Sequence, residues 1–539
     1  MNKKQLGSFY TPQRLANFIV NYCFSRLNRA SISVLEPCVG DGAFIEAFNQ
    51  SHLLKKYNNI ELHVVEIINE ELNKAIQKND DSQINLTTYN QDYLSFHYEK
   101  KDTYSLVIGN PPYLKDNLLT EEQKDLAIDI HLSQNLSIKR INNIWTAFLV
   151  STISKLEDDG ILAFVLPLEL LQVKFTIGIR DFLKQSFTRI EIFMFDKLQF
   201  QECKGQDTIL LIGFKNHKHE GIHYTTIGSI DDLESERFNL KQNLTVSNSN
   251  KKWTHHFISS DEYSFLEELR DKLNRINDLV DNKTGIVTAA NDFFIVNEGI
   301  INQYQLQNYA KPIIRKGHFI NGSLTFNKKD FMCLATKHKP VYLLDFNSVN
   351  PKRLSNGVKK YLQKGELQEL HLRYKCRKRK HWYQIPYKMD FGESLFFKRA
   401  HEYPKLLKNE THILVTDNAY VVNTKQGIEI DDFIYSFYNS LTLVFAELEG
   451  RYYGGGVLEL TPNEFRKLPL PLTKVGDFDS YAESFKNKSS ITEVLNRFNP
   501  HILNSTLGLT TEEIMKIESI RKKLINKRHR KKNKSPMNS

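Results

Sequence analysis

The chain has 539 residues, 40% of them hydrophobic, with 73 basic side chains against 63 acidic ones and a formal net charge of +10. That size fits about two to four domains with real cores. Its longest apolar run, from Ile161 to Val173, is broken by Pro167 and Glu169, so nothing approaches the roughly 18 apolar residues that cross a bilayer. The polar start, Met1 to Gln5, does not read as a secretory signal. Five scattered cysteines (Cys23, Cys38, Cys203, Cys333, Cys376) without a C-x-x-C spacing argue against disulfides and a zinc site, and make a reducing cytoplasm the expected setting.

Thr11-Pro12 reads as a helix start, threonine at the cap and proline at the first helical position. Leu15, Phe18, Ile19, Tyr22 and Cys23 follow at helical spacing. The apolar strand Ile32–Leu35 then enters Glu36-Pro-Cys38-Val-Gly40-Asp-Gly42-Ala-Phe44 and a helix through Phe48. Strand, glycine-rich turn and helix open a ligand crevice in an α/β sheet. The spacing is neither a dinucleotide fingerprint nor a phosphate loop, and an acid at Glu36 suits a cationic ligand. The next strand, Ile60–Val65, ends at Glu66, where a carboxylate suits two ribose hydroxyls. Ile84–Thr88 leads to Asp92-Tyr93, an acceptor for an adenine amine beside a ring to cover its face. Singly, each of these acids is also an ordinary solvated loop residue.

Ser105–Gly109 is a short buried strand running into Asn110-Pro111-Pro112-Tyr113. The prolines fix φ and offer carbonyls without competing N–H donors. The Asn110 amide oxygen and the Pro111 carbonyl can accept from one exocyclic amine while Tyr113 lies flat on the ring that carries it. Read alone, the tetrapeptide is equally a Pro-Pro turn closing a strand. Trp145, Phe148, Leu149, Thr152, Ile153 and Leu156 mark an amphipathic helix, ended by Asp158-Asp-Gly160 ahead of the strand Ile161–Leu166. This alternation predicts a doubly wound, mostly parallel α/β sheet. Ile190–Phe195 and Thr208–Phe214 read as an antiparallel pair on its edge. His217, His219 and His223 read as a solvated turn.

Val246–Lys252 reads as a linker, and beyond Trp253 the pattern becomes irregular α+β. Arg373-Tyr-Lys-Cys-Arg-Lys-Arg-Lys380 is basic at six of eight positions and is followed by His381, Trp382 and Tyr383. A basic, aromatic-studded segment fits phosphate contact, with Arg373, Arg377, Arg379 and Lys380 as candidates for the DNA backbone. The end, Arg521 to Lys534, is also strongly basic, and its bland reading is a disordered solvated end that adds only weak, salt-sensitive affinity.

In order, Gly7 to Pro12, Leu35 to Phe44, Val65-Glu66, Asp92-Tyr93 and Asn110 to Tyr113 resemble the gamma class of S-adenosylmethionine-dependent DNA adenine-N6 methyltransferases, the TaqI-like and PstI-like modification enzymes. The resemblance is close over roughly the first 215 residues, and looser at Gly450–Gly456 and Leu468–Pro471. It implies a Rossmann-like class I methyltransferase domain over 1–245, a DNA-recognition domain over 253–480, and a C-terminal helical segment with the basic tail over 481–539. Thr11 and Pro12 would cover the methionine end of the cofactor. Glu36, Cys38 (through its backbone), Gly40 and Gly42 would line that end, Glu66 would take the ribose, and Asp92 with Tyr93 the adenine. Asn110, Pro111, Pro112 and Tyr113 would be catalytic, Asn110 also facing the cofactor. Tyr113 and Phe200 would sandwich a flipped target adenine. Phe200 is equally an ordinary loop anchor. The implied partner is double-stranded DNA, with a cognate restriction endonuclease encoded separately. A monomer without a metal is expected. A methyltransferase for a protein glutamine or ribosomal RNA, and a non-catalytic DNA-binding module, are the competing readings.

Overall fold

The computed structural model describes residues 10–80, 83–195, 208–242, 252–320, 322–387, 390–453 and 455–529. It divides into one unit of residues 1–263 with 453–455, and a second of 264–452 with 456–539.

The first unit is built on nine strands: β1 (Ser31–Glu36), β2 (Asn59–Val65), β3 (Ile84–Tyr89), β4 (Tyr104–Gly109), β5 (Leu156–Pro167), β6 (Arg189–Phe195), β7 (Thr208–Phe214), β8 (Gly221–Ile227) and β9 (Lys241–Gln242). Their order is β3-β2-β1-β4-β5-β7-β6-β8-β9. The strands from β3 to β5 pair in parallel, and β7 runs antiparallel between β5 and β6. Helices α1 (Gln13–Arg26), α2 (Ala43–Asn49), α3 (Asn69–Ile76), α4 (Tyr93–Glu99), α5 (Glu121–Ser133) and α6 (Trp145–Ser154) supply the crossovers and cover. Two apolar clusters, one containing α1 and α2, the other α4 and α6, account for why β4 is buried along its whole length. The strand order reverses between β1 and β4, so a crevice opens at the carboxyl ends of these parallel neighbours. This is the doubly wound class I methyltransferase arrangement.

Five local expectations are corrected. Pro12 takes the cap position of α1, with no side-chain cap bond, and the helix begins one residue later at Gln13. Helix α6 is buried all round rather than amphipathic, every residue from Trp145 to Ile153 lying inside. Asp158 to Gly160 lies within β5 rather than ending the helix. The acids are tolerated because Arg29 pairs with both Glu157 and Asp159. A Cβ at Gly160 would stand 3.1 Å from the Tyr104 carbonyl oxygen, where the β4 register slips. The antiparallel pair β6–β7 is interior, because β8 adds in parallel to β6 and β9 follows it. His223 therefore sits in a strand, 8% exposed, with its Nε2 3.3 Å from the Arg189 guanidinium.

The second unit is α+β. A five-stranded sheet takes Val280–Thr284, Ala419–Thr424, Ser394–Phe397, Lys405–Asn409 and Thr325–Phe326 in that spatial order. The helices Ile430–Phe437, Ser440–Glu449, Ile491–Leu507 and Thr511–Arg528 follow. The last of these overturns the disordered reading of the tail up to Arg528. Arg521 is 2% exposed and holds Glu518 at 2.7 Å, and Arg528 holds Glu447 at 2.8 Å. Both acids lie too far along the chain or too ambiguously within it for composition to reveal the pairing. Residues 530–539 lie outside the described residues. Among those described, no helix is long and apolar enough to cross a membrane.

Candidate active site

The carboxyl ends of β1, β2, β3 and β4 converge on a cleft of about 930 Å³, including its open mouth. Its wall includes Thr11, Glu36, Cys38, Gly40, Glu66, Asp92, Tyr93, Asn110 and Pro112. Pro12, Gly42, Pro111 and Tyr113 are not in that wall. Phe200 and the rest of its loop lie outside the described residues.

Glu36 is 1% exposed, and its Oε2 has no hydrogen-bond partner among the described residues. Burial, then the nearby charges of Asp41 and Glu66, hold its carboxyl well above the usual carboxylate range. A buried acceptor without a donor, at the wall of a cleft, is what a cationic ligand would complete. Glu66 is held differently. Its Oε2 accepts from the Gly40 N–H at 3.0 Å and its Oε1 from the Ile68 N–H at 2.9 Å. Two backbone donors fix the carboxylate plane and leave a lone pair on each oxygen. Burial nevertheless raises its pKa above the ordinary value.

The turn between β1 and α2 is fixed by close packing. Gly42 has φ +82°, and a Cβ there would lie 2.7 Å from the Ala75 Cα of α3. A bare glycine here lets α2 approach α3. The Cys38 thiol donates to the Asn110 carbonyl at 3.2 Å, tying the first turn to the last.

Asp92 caps α4, its Oδ1 accepting from the Leu94 N–H at 2.8 Å. Its Oδ2 accepts from the Gln123 Nε2 at 2.7 Å. The Tyr93 ring lies 4.8 Å from that of Phe148 at 33°, and its hydroxyl is 2.8 Å from the Ser151 Oγ, which contacts the His97 Nδ1 at 2.8 Å. Burial, with Lys155 and Lys101 nearby, lowers His97 to about 4, so this chain is neutral at physiological pH.

At the end of β4, the Tyr113 hydroxyl lies 3.0 Å from the Asn110 Oδ1 and 3.1 Å from the Val165 carbonyl. One hydroxyl proton serves two acceptors, so Asn110 keeps acceptor capacity. The Tyr113 ring is 7% exposed and belongs to the apolar cluster around α6. This corrects the expectation of a ring laid open for stacking: the pull of the Val165 carbonyl and the apolar cluster turn it inward.

Sequence reading missed Tyr10, Gln123, Ile144 and Phe148 in the cleft wall. Phe148 was visible only as a helical apolar residue. Gln123 carried a capping-box signal, Thr120-x-x-Gln123, that marks a helix start and nothing more.

In the second unit, the basic segment divides. Arg379 donates to the Thr288 carbonyl at 2.8 Å and the Trp382 carbonyl at 3.2 Å, with its guanidinium 5.8 Å from the centre of the Phe294 ring. Arg373 donates to the Ala289 carbonyl at 3.1 Å. Arg379 is thereby engaged in holding the fold, whereas Arg373 stays exposed with a single backbone contact. Arg377 and Lys380 are exposed. Among the described residues no group of acids, histidines or cysteines has the arrangement of a metal site.

Residues 26–200 match the family model of the Eco57I restriction-modification methylase, and residues 250–503 match that of the type II methyltransferase M.Eco57I C-terminal domain. The type II methyltransferase M.AccI of Acinetobacter calcoaceticus is 25% identical over 486 residues, 86% of this chain and 85% of that protein. M.HincII of Haemophilus influenzae is 24% identical over 234 residues, 43% of this chain and 42% of its own length. Among solved structures, the type IIL restriction-modification enzyme MmeI in complex with DNA aligns with a TM-score of 0.56 at 12% identity, over 96% of this chain and 75% of that one. The DrdV–DNA complex aligns at 0.52 and 13%, over 90% and 57%. One model matches each part of the chain, in the same order, so the chain is similar along its length to Eco57I-like type II restriction-modification methylases.

Proposed function

We propose that this protein is a DNA methyltransferase that uses S-adenosylmethionine to methylate N6 of a specific adenine in duplex DNA. The observation that carries the reading is the convergence of Glu36, Glu66, Asp92 and Asn110, one from each of four strand ends, on one cleft. The acceptor set fits the cofactor's polar groups in turn. The orphaned Glu36 Oε2 suits an ammonium or sulfonium, the Glu66 carboxylate two ribose hydroxyls, and Asp92 an adenine amine. Tyr93 and Phe148 would flank the adenine. When bound, the cofactor supplies an electrophilic methyl group on a sulfonium sulfur.

The chain's own residues do the rest. A target base cannot react within the stack and must be turned out, at a cost of a few kcal/mol. Asn110 Oδ1 and the Pro111 carbonyl would accept the two amine protons, which favours a pyramidal nitrogen with its lone pair aimed along the line of attack. Tyr113, through its hydroxyl, orients the Asn110 amide. The prolines keep N–H donors away from these acceptors. Positioning and fixed dipoles in a partly dry cleft carry the catalysis. The second unit would read the sequence.

The test is methyl transfer from isotopically labelled cofactor to unmethylated plasmid DNA, followed by mass spectrometry of the nucleosides. N6-methyladenine as the labelled product supports the proposal. Label in N4-methylcytosine, in a protein glutamine or in RNA overturns the adenine assignment.

A further inference from the structure

Gln123 stands at N3 of α5, inside a reciprocal capping box. The Thr120 N–H donates to the Gln123 Oε1 at 3.2 Å, and the Gln123 N–H donates to the Thr120 Oγ1 at 3.2 Å. The first contact settles the carboxamide's orientation on chemical grounds, because only its oxygen can accept from an N–H. The Nε2 is therefore directed at the Asp92 Oδ2, 2.7 Å away. Its second N–H makes no other hydrogen bond among the described residues. Gln123 and Asp92 both line the cleft. The other Asp92 oxygen is held by the Leu94 N–H, so the carboxylate is fixed from both sides.

The result is an acceptor beside a donor on one rigid edge. A 6-aminopurine presents the complement, an amine donor flanked by a ring-nitrogen acceptor. A 6-oxopurine presents an acceptor at that position, which the Asp92 carboxylate would repel. We propose that Gln123 is the second half of a nucleobase reader. It locks Asp92 and presents an N–H beside it, so that the pair selects a cofactor or product carrying 6-aminopurine over one carrying 6-oxopurine. This rests on the reading of the cleft as the S-adenosylmethionine site. It also makes α5, the first helix after Asn110–Tyr113, part of the nucleobase site.

The experiment is calorimetric titration of the full chain with S-adenosylhomocysteine and with its 6-oxo counterpart, S-inosylhomocysteine. Wild type should bind the adenosyl compound more tightly. Gln123→Met should weaken that compound about tenfold, the size of a hydrogen bond to a charged group, and narrow the preference. Turnover at saturating cofactor should stay within about twofold, so the change falls on KM and not on kcat. Gln123→Glu sets two carboxylates face to face, so its affinity should fall as pH rises and recover toward acid pH. Thr120→Ala removes the cap hydroxyl alone; it should lower the melting temperature and leave the preference in place. An unchanged preference in Gln123→Met, or a Thr120→Ala variant that matches it, overturns the inference while sparing the cofactor reading. If wild type binds neither compound, the cofactor reading itself fails, and the inference falls with it.

Discussion

Glu36 combines two features that rarely coexist in a stable fold: near-complete burial and an oxygen without a donor. Burial raises its pKa, so the folded protein holds the proton more tightly than the unfolded chain does. Stability from this group is full below the ordinary carboxylate range and is lost as pH rises through the raised value. Asp41 and Glu66, also raised by burial, act in the same direction. Ligand-free protein should therefore melt at a lower temperature at about pH 8 than at about pH 5. Glu36→Gln should flatten that slope and raise the melting point of the first unit near neutrality, by about 2 °C for each kcal/mol gained. Scanning calorimetry at the two pH values decides; a slope unaltered by Glu36→Gln would place the strain elsewhere. The same variant should bind cofactor more weakly. At the other end of the cleft, Asn110→Ala should abolish single-turnover methyl transfer while cofactor binding persists, and activity within a few-fold of wild type would remove Asn110 from the chemistry. The acids themselves were legible in the sequence because each ends an apolar strand. The Tyr113 hydroxyl on Asn110 and Val165 was not, because the Val165 carbonyl lies 52 residues away on a different strand.

At the scale of elements, the turn from β1 to α2 controls the cleft. Gly42 places α2 against α3 so closely that any side chain meets the Ala75 backbone. Gly42→Ala combines that clash with a positive φ, so it should destabilise the protein by about 2 kcal/mol or more and lower cofactor affinity indirectly. Denaturant titration and calorimetry on one preparation check both halves. A stable variant with normal affinity would mean that α2 can shift without loss. The strands from β1 to β4 could be read from local pattern, since each is a short apolar run followed by a turn signal. The interior position of β6 and β7 could not. Gly221–Ile227 follows a run of histidines and lysines and loses its alternation at Thr225-Thr226, so only its pairing with Arg189–Phe195 makes it a strand. Helix α6 misled for a related reason: Thr146 and Ser151 look like a polar face, yet both bury hydroxyls on backbone or side-chain partners. Asp92 shows the same limit within the cleft, since Gln123 is 31 residues further on and joins it only through the fold.

At the scale of the whole molecule, a modest net charge of +10 says little about where DNA would lie. What matters is which cations are spare. Arg379 is half-buried against carbonyls, whereas Arg377 and Lys380, within three residues of it, face solvent. The two kinds of site predict different losses. Arg379→Ala would leave the Thr288 and Trp382 carbonyls without their donor and remove a cation from the Phe294 ring. It should lower stability by about 1–3 kcal/mol with its DNA effect following from that loss. Arg377→Ala with Lys380→Ala should leave the melting temperature unchanged and weaken binding to every duplex tested. Phosphate contacts carry position rather than sequence, so the methylated site should stay the same. Each lost contact should flatten the slope of log K against log[salt] by about 0.9. Binding titrations at several salt concentrations, on cognate and unrelated duplexes, separate the cases. An unchanged slope makes the exposed pair an ordinary solvated surface. A shift in which sequence is methylated makes Arg377 a reader of guanine in the major groove, where arginine is the common partner.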